Sequence, residues 1–308
     1  MATYKRIMVG LDFSQADQVL IEYTKMINDI LNPNVIYFVH AEEDLDLPPE
    51  VLEQLGVDTV KPSDESLQEK LETLVAEQIQ SDSDTDVICQ VVEGSAFEGM
   101  LHWAHIKDID LLIVGKKHKE NGQGVLPQKL ARKIDSSVLF IPEDFEVKPV
   151  EKILLPLDFS KKSKLAIDTA TGIFGENNVE LIAANCYSLP LGWHKTGKSR
   201  EHIDTVMQEH AKRKFEEFLD GYGNDNLKIR SVFEMDDNHE PSEEILHMAA
   251  ENNADMIMIG SRGQTDIATM IFGSTTEKLL QHDKMFPIWV IKKKGELLGF
   301  LDALFKLR

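Results

Sequence analysis

The sequence predicts an α/β protein built from two tandem doubly wound, Rossmann-like domains, each with a five-stranded parallel sheet. Three observations carry that prediction: the chain repeats itself at domain length, short apolar runs alternate with helix-length patterns, and several of the short runs are apolar on both faces. Residues 4–14 read YKRIMVGLDFS and residues 151–160 read EKILLPLDFS, so the shared LDFS begins at Leu11 and at Leu157, 146 positions apart. Residues 110–115 read DLLIVG and residues 255–260 read DMIMIG, 145 positions apart. Two segments agreeing on one period, far above that of a solenoid, make the repeating unit a whole domain. A length of 308 residues fits two such domains.

In the first repeat the apolar and β-branched runs place strands at Arg6–Leu11, Val35–His40, Val87–Val92, Leu111–Val114 and Val138–Ile141. Helical patterns lie between them near 15–30, 65–80, 95–106 and 124–134. In the second repeat the strands are Ile153–Leu157, Glu180–Cys186, Ile229–Glu234, Met256–Ile259 and Ile288–Ile291, with helices near 161–173, 199–221, 241–252 and 273–282. Runs such as ILLPL and MIMI are apolar on both faces, as a parallel sheet covered by helices requires. Right-handed crossovers then wind each sheet open, and ligands of such sheets lie beyond the carboxyl ends of the strands. The expected domains are 1–146 and 147–292, with an amphipathic tail over 293–308. The acidic, proline-bounded segment 142–149 is a short stiff linker. The acidic stretch 41–64 reads as a surface excursion that could cover the first cleft.

Composition narrows the function. Apolar content of 42% and charge of 28% are those of a soluble globular chain. There is no apolar run of membrane-spanning length, and no leader pattern precedes the first strand, so a cytoplasmic location is expected. Cys89 and Cys186 fall in different repeats inside strand patterns, which argues against a structural disulfide. A formal net charge of −20 disfavours nucleic acid and anionic membranes as partners. It still allows a small anionic ligand held by clustered backbone N–H groups.

One segment has the pattern for that. Gly260-Ser261-Arg262-Gly263 follows an apolar strand, and after nine intervening residues Gly273-Ser274-Thr275-Thr276 opens a helix. Glycines at 260, 263 and 273 permit positive φ and a close backbone approach to an anion. The N–H groups of the helix's first turn point outward, and the helix dipole favours negative charge there. The Ser274 and Thr275 hydroxyls and the Arg262 guanidinium could add hydrogen bonds. The spacing is not that of a Walker A loop.

The run G-x2-G-x9-G-[ST] over residues 260–274 resembles the motif of the ATP-binding branch of the universal stress protein family, and the resemblance extends over residues 4–142 and 151–292. It implies a tandem member of that family, binding ATP, with Mg²⁺ arriving on the phosphates. Residue by residue, it implies Asp158 and the backbone near Pro156 beside ribose and adenine, the backbone near Cys186 at the adenine edge, and Gly260, Gly263, Gly273, Ser274 and Thr275 around the phosphates. Beside these roles stand plainer ones: Asp158 and Ser160 flank a helix start and suit capping, the glycines suit tight turns, and Cys186 suits strand packing.

The first repeat departs from the motif. Gly115 matches Gly260, but His118 stands where Gly263 should, Gly115 to Gly124 is too short, and Val125 and Leu126 replace the hydroxyls. That copy is a degenerate cradle. Lys116, Lys117, His118 and Lys119 either attract an anion or form a solvated basic loop. Asp12 and Ser14 there suit helix capping.

No catalytic constellation is evident. His102 and His105 share a helix face with no third metal ligand in view. The stripe Leu297, Leu298, Leu301, Leu304 and Phe305, flanked by lysines, forms a helix that docks on its own protein or a sister subunit, or else lies on a membrane. The closing strands VLFI and IWVI are apolar edges that could pair, making the chain a pseudo-dimer, and a homodimer could follow. The functional expectation is an ATP-binding stress-response protein with one nucleotide site, in the second domain. The competing readings are a non-nucleotide scaffold and a slow ATPase.

Overall fold

The computed structural model describes residues 4–42, 63–79, 84–116, 126–175, 178–220, 229–261 and 272–295. They form two compact units, one of residues 4–147 joined by Lys293, Lys294 and Gly295, the other of residues 148–292. Both are α/β units with wholly parallel five-stranded sheets, as the duplicated pattern predicts.

The first unit runs β1 (Arg6–Leu11), α1 (Ala16–Leu31), β2 (Val35–Glu42), α2 (Ser63–Ala76), β3 (Asp86–Glu93), α3 (Ala96–Ile106), β4 (Leu111–Lys116), α4 (Leu126–Lys133) and β5 (Ser137–Pro142). Its strand order is β3-β2-β1-β4-β5. The second unit runs β6 (Lys152–Pro156), α5 (Lys161–Phe174), β7 (Glu180–Tyr187), α6 (Arg200–Asp220), β8 (Ile229–Met235), α7 (Pro241–Glu251), β9 (Met256–Gly260), α8 (Ser274–His282) and β10 (Ile288–Ile291), in the order β8-β7-β6-β9-β10. In each unit the strand order reverses beside the first strand, which opens a crevice at its carboxyl end. Every strand and helix read from the sequence is present, with ends shifted by at most four residues. A 3₁₀ turn at Trp193–Thr196, between Gly192 and Gly197 at positive φ, is an addition.

The central strands are buried on both faces: Leu111, Leu112, Ile113, Ile153, Leu154, Leu155, Met256, Ile257 and Met258 are all fully inaccessible. Burial of these side chains supplies most of what holds each sheet to its helices. A carboxylate before the fourth strand pins the start of the first in both units. Asp110 Oδ2 accepts the Lys5 and Arg6 N–H groups at 2.9 Å each, and Asp255 Oδ2 accepts those of Glu151 and Lys152 at 2.9 Å each. Lys148 closes on Asp255 at 2.5 Å, and Lys294 closes on Asp110 at the same distance.

Both cysteines are free. Among the described residues no group of three His, Cys, Asp or Glu is placed to hold a metal ion, and no helix is long and apolar enough to cross a membrane. Most of the excursion over 41–64, the first repeat's loop beyond Lys116 up to Val125, and the apolar stripe of the tail lie outside the described residues.

Candidate functional site

A cavity of about 420 Å³ opens at the carboxyl ends of β6, β7 and β9 in the second unit. Its floor is Pro156, Leu157 and Asp158 after β6, Ala184 to Tyr187 at the end of β7, and Ile259 and Gly260 at the end of β9. The first turn of α8 closes one side with Gly273, Ser274, Thr275 and Thr276. Of the residues singled out from sequence, Pro156, Asp158, Cys186, Gly260, Gly273, Ser274 and Thr275 therefore line a single cavity. Arg262 and Gly263 lie outside the described residues.

Asp158 begins a tight turn into α5. Its Oδ1 accepts the Ser160 N–H at 3.0 Å and the Ser163 hydroxyl at 2.6 Å, while its own N–H donates to Ser163 Oγ at 3.0 Å. Between them Phe159 takes a left-handed conformation, φ 63°, uncommon for a bulky side chain. The helix cap is Ser160, whose hydroxyl accepts the Ser163 N–H at 3.2 Å, so Asp158 shapes the turn and does not cap α5. The first unit copies the turn, with Phe13 at φ 58° and Asp12 Oδ1 accepting the Ser14 N–H at 3.2 Å. There Asp17, only 2% exposed, replaces Ser163, and its carboxylate accepts the N–H groups of Asp12 and Phe13. The expectation that Ser14 caps α1 fails: the cap position is Gln15, without a side-chain hydrogen bond, and the Asp17 N–H that a Ser14 hydroxyl would accept goes to the Ser14 carbonyl at 3.2 Å.

The glycines behave differently from the sequence expectation. Neither Gly260 nor Gly273 has positive φ; Gly273 is extended, with φ −69° and ψ 152°. Gly260 is required by crowding instead. A Cβ there would lie 2.8 Å from the Lys162 carbonyl oxygen, because the start of α5 packs directly on the end of β9. The two ends of the glycine loop are tied together, Thr276 Oγ1 donating to the Gly260 carbonyl at 3.1 Å and the Gly273 N–H to the Ser261 carbonyl at 2.9 Å. Ser274 stays exposed and Thr275 half-buried at the start of α8, where first-turn N–H groups have no intrahelical acceptor.

A further wall is α6, which the motif did not reveal. Met207, His210, Ala211 and Lys214 face the cavity at i, i+3, i+4 and i+7. The signal was legible only as one stripe of a helix whose buried anchors are Ala211 and Phe215. Asn185 was also missed. It is buried, and its amide donates to the Leu157 carbonyl at 2.7 Å, fixing the end of β6 against β7.

Charge is uneven along the cleft. Burial, then Glu244, Asp236 and Glu234, push the Cys186 thiol up to about 12, so it is a neutral, unreactive group. Its Sγ lies 3.9 Å from the Pro241 carbonyl. Burial and the 2.5 Å hydrogen bond to Asp204 hold the Tyr187 hydroxyl well above its ordinary range. The β7–β8 end is thus acidic and suits a neutral, donor-bearing group. The α8 end suits an anion. Among the described residues of the cleft, the one thiol is not activated.

The sequence profile of the universal stress protein family matches residues 3–142 and again 149–292. Universal stress protein MJ0577 of Methanocaldococcus jannaschii is 26% identical over 160 residues, covering 47% of this chain and 96% of that protein. A universal stress protein of Archaeoglobus fulgidus DSM 4304 superposes with a TM-score of 0.62 at 17% identity, covering 94% of this chain and 98% of that one, which speaks to the fold. A universal stress protein in complex with cAMP is 17% identical over 45% of this chain and 97% of that one, with a TM-score of 0.32. With nearly the whole chain matched in two copies, this protein belongs to the universal stress protein family.

Proposed function

We propose that this chain is an ATP-binding universal stress protein with one nucleotide site, in the second domain, and that it acts in the cytoplasm as a regulatory or protective factor rather than as an enzyme. The observation that carries the reading is the convergence of the β6 turn, the end of β7, the end of β9 and the start of α8 on one cavity. Its volume of about 420 Å³ lies within the range of small-molecule sites. The acidic β7–β8 end suits the amino-bearing edge of a base, and the α8 turn suits phosphates. Mg²⁺ would come with the phosphates, as that ion is commonly held by phosphate oxygens, water and one or two carboxylates, and Asp158 is the carboxylate that lines this cavity among the described residues. In the first domain the buried Asp17 sets a carboxylate where the second has the Ser163 hydroxyl, which disfavours a phosphate beside that turn.

Calorimetric titration of the full chain with ATP checks this. The expected result is about one site per chain, as the asymmetry of the two turns implies. Two equal sites overturn the asymmetry, and no binding favours a surface scaffold. Thr275→Glu adds a carboxylate that the helix start tolerates, so the variant is expected to keep its fold, by circular dichroism, and to lose ATP.

A further inference from the structure

We infer that Lys214, on the stripe of α6 that also carries His210, is the cation of the cleft wall and makes its affinity rise with the number of phosphates on the ligand. The inference rests on the nucleotide reading above and names residues that reading does not use. In a chain with 53 acidic and 33 basic residues, lysines near carboxylates tend to be paired, as Lys148, Lys278 and Lys294 are. Lys214 and His210 have no ion-pair partner among the described residues, and both line the cavity.

The helix is fixed so that this stripe borders the cavity, with His210 and Lys214 still open to solvent. Ala211 and Phe215 are buried, the Phe215 ring meets Phe233 of β8, and Gln208 donates to the Phe233 carbonyl. Toward its start, α6 is held at the end of β7 by the bond between Asp204 and Tyr187. Toward its end, the Phe218 ring lies 5.7 Å from that of Phe159 in the β6 turn. Lys214 sits one turn before Phe218. It is therefore on the part of α6 that meets the β6 turn. An ammonium on a long flexible stem, lining the same cavity as the α8 turn, adds a charge-assisted contact to those of the backbone N–H groups.

The first unit supplies an internal comparison. Its α2 buries Leu71 and Val75 as α6 buries Ala211 and Phe215. That register sets Lys70 at the place of His210 and Leu74 at the place of Lys214. Lys70 lies 4.0 Å over the Phe13 ring, so its charge is directed onto the turn itself, and the position of Lys214 holds an apolar residue.

The test is titration of the full chain with adenosine, AMP and ATP, for the wild type, Lys214→Gln and Lys214→Glu, at two salt concentrations. Lys212→Gln is the control, since Lys212 is exposed on the same helix and bonds Gln208. Expected is a loss of about tenfold in ATP affinity for Lys214→Gln, the scale of one charge-assisted contact, with a larger loss for Lys214→Glu and little change for adenosine. The salt dependence of ATP binding should flatten in both variants and stay unchanged in Lys212→Gln. Wild-type binding of ATP with equal affinity and salt dependence in Lys214→Gln overturns the inference and leaves the nucleotide reading standing. Failure of the wild type to bind any of the three ligands overturns both.

Discussion

Gly260 shows how a residue can be needed for a reason other than its usual one. Its backbone could accommodate a side chain, but its surroundings cannot, with Lys162 O at 2.8 Å and Lys162 Cβ at 2.9 Å from where a Cβ would stand. Because the neighbour is helix backbone, relief requires moving the first turn of α5, and with it Ser160 and Ser163. Gly260→Ala is expected to cost about 1–3 kcal/mol of stability, the usual scale of overpacking, measured by urea unfolding. A variant as stable as the wild type would show that α5 can retreat freely. Cys186 is the opposite case: burial and three nearby carboxylates keep its thiol protonated, so its place in the cleft is one of shape and neutrality.

At the scale of the element, the start of β6 and the fourth strand of its unit are coupled through Asp255. Burial pushes this carboxyl up, but Lys148 and the Glu151 and Lys152 N–H groups outweigh it and hold it below the ordinary carboxylate range. A carboxyl with a depressed folded-state pKa adds stability above its unfolded value, and that stability is lost as the pH falls through the folded value. Asp255→Asn is expected to be about 1–3 kcal/mol less stable near neutral pH, the scale of hydrogen bonds to a charged group. The gap between the two proteins should close in acid, once the wild-type carboxyl is protonated. Unfolding curves that stay equally far apart at both pH values would assign the effect to packing instead. The same elements bear on the cleft, since β6 carries Pro156 into it.

At the scale of the molecule, the duplication preserved the architecture and let the two crevices diverge. The β1 turn and the β6 turn share backbone form, down to the left-handed Phe13 and Phe159, yet one is filled by Asp17 and the other by Ser163. Binding of ATP to the second unit alone would raise its stability by about 2.7 kcal/mol at a hundredfold excess over Kd. Hydrogen exchange of the full chain is the direct check. Protection by ATP is expected over 156–163, 184–187 and 273–278, with no change over 12–17. Equal protection of both turns would mean that Asp17 does not exclude the ligand.

The sequence by itself determined the two α/β units, the order of their strands and helices, and the place of the glycine loop. Those features are encoded locally, in apolar runs of strand length, helical stripes and glycine punctuation, and the repeat states each of them twice. It could not say that Gly260 answers to Lys162, that Ser160 and not Asp158 caps α5, or that Lys214 of α6 shares a cavity with the start of α8. Each of those depends on which residues meet after folding: Lys162 and Gly260 are far apart in the chain and meet only because α5 crosses the end of β9. The tertiary structure therefore decided the walls and charge of the cleft, because contacts between residues distant in sequence leave no periodic trace along it.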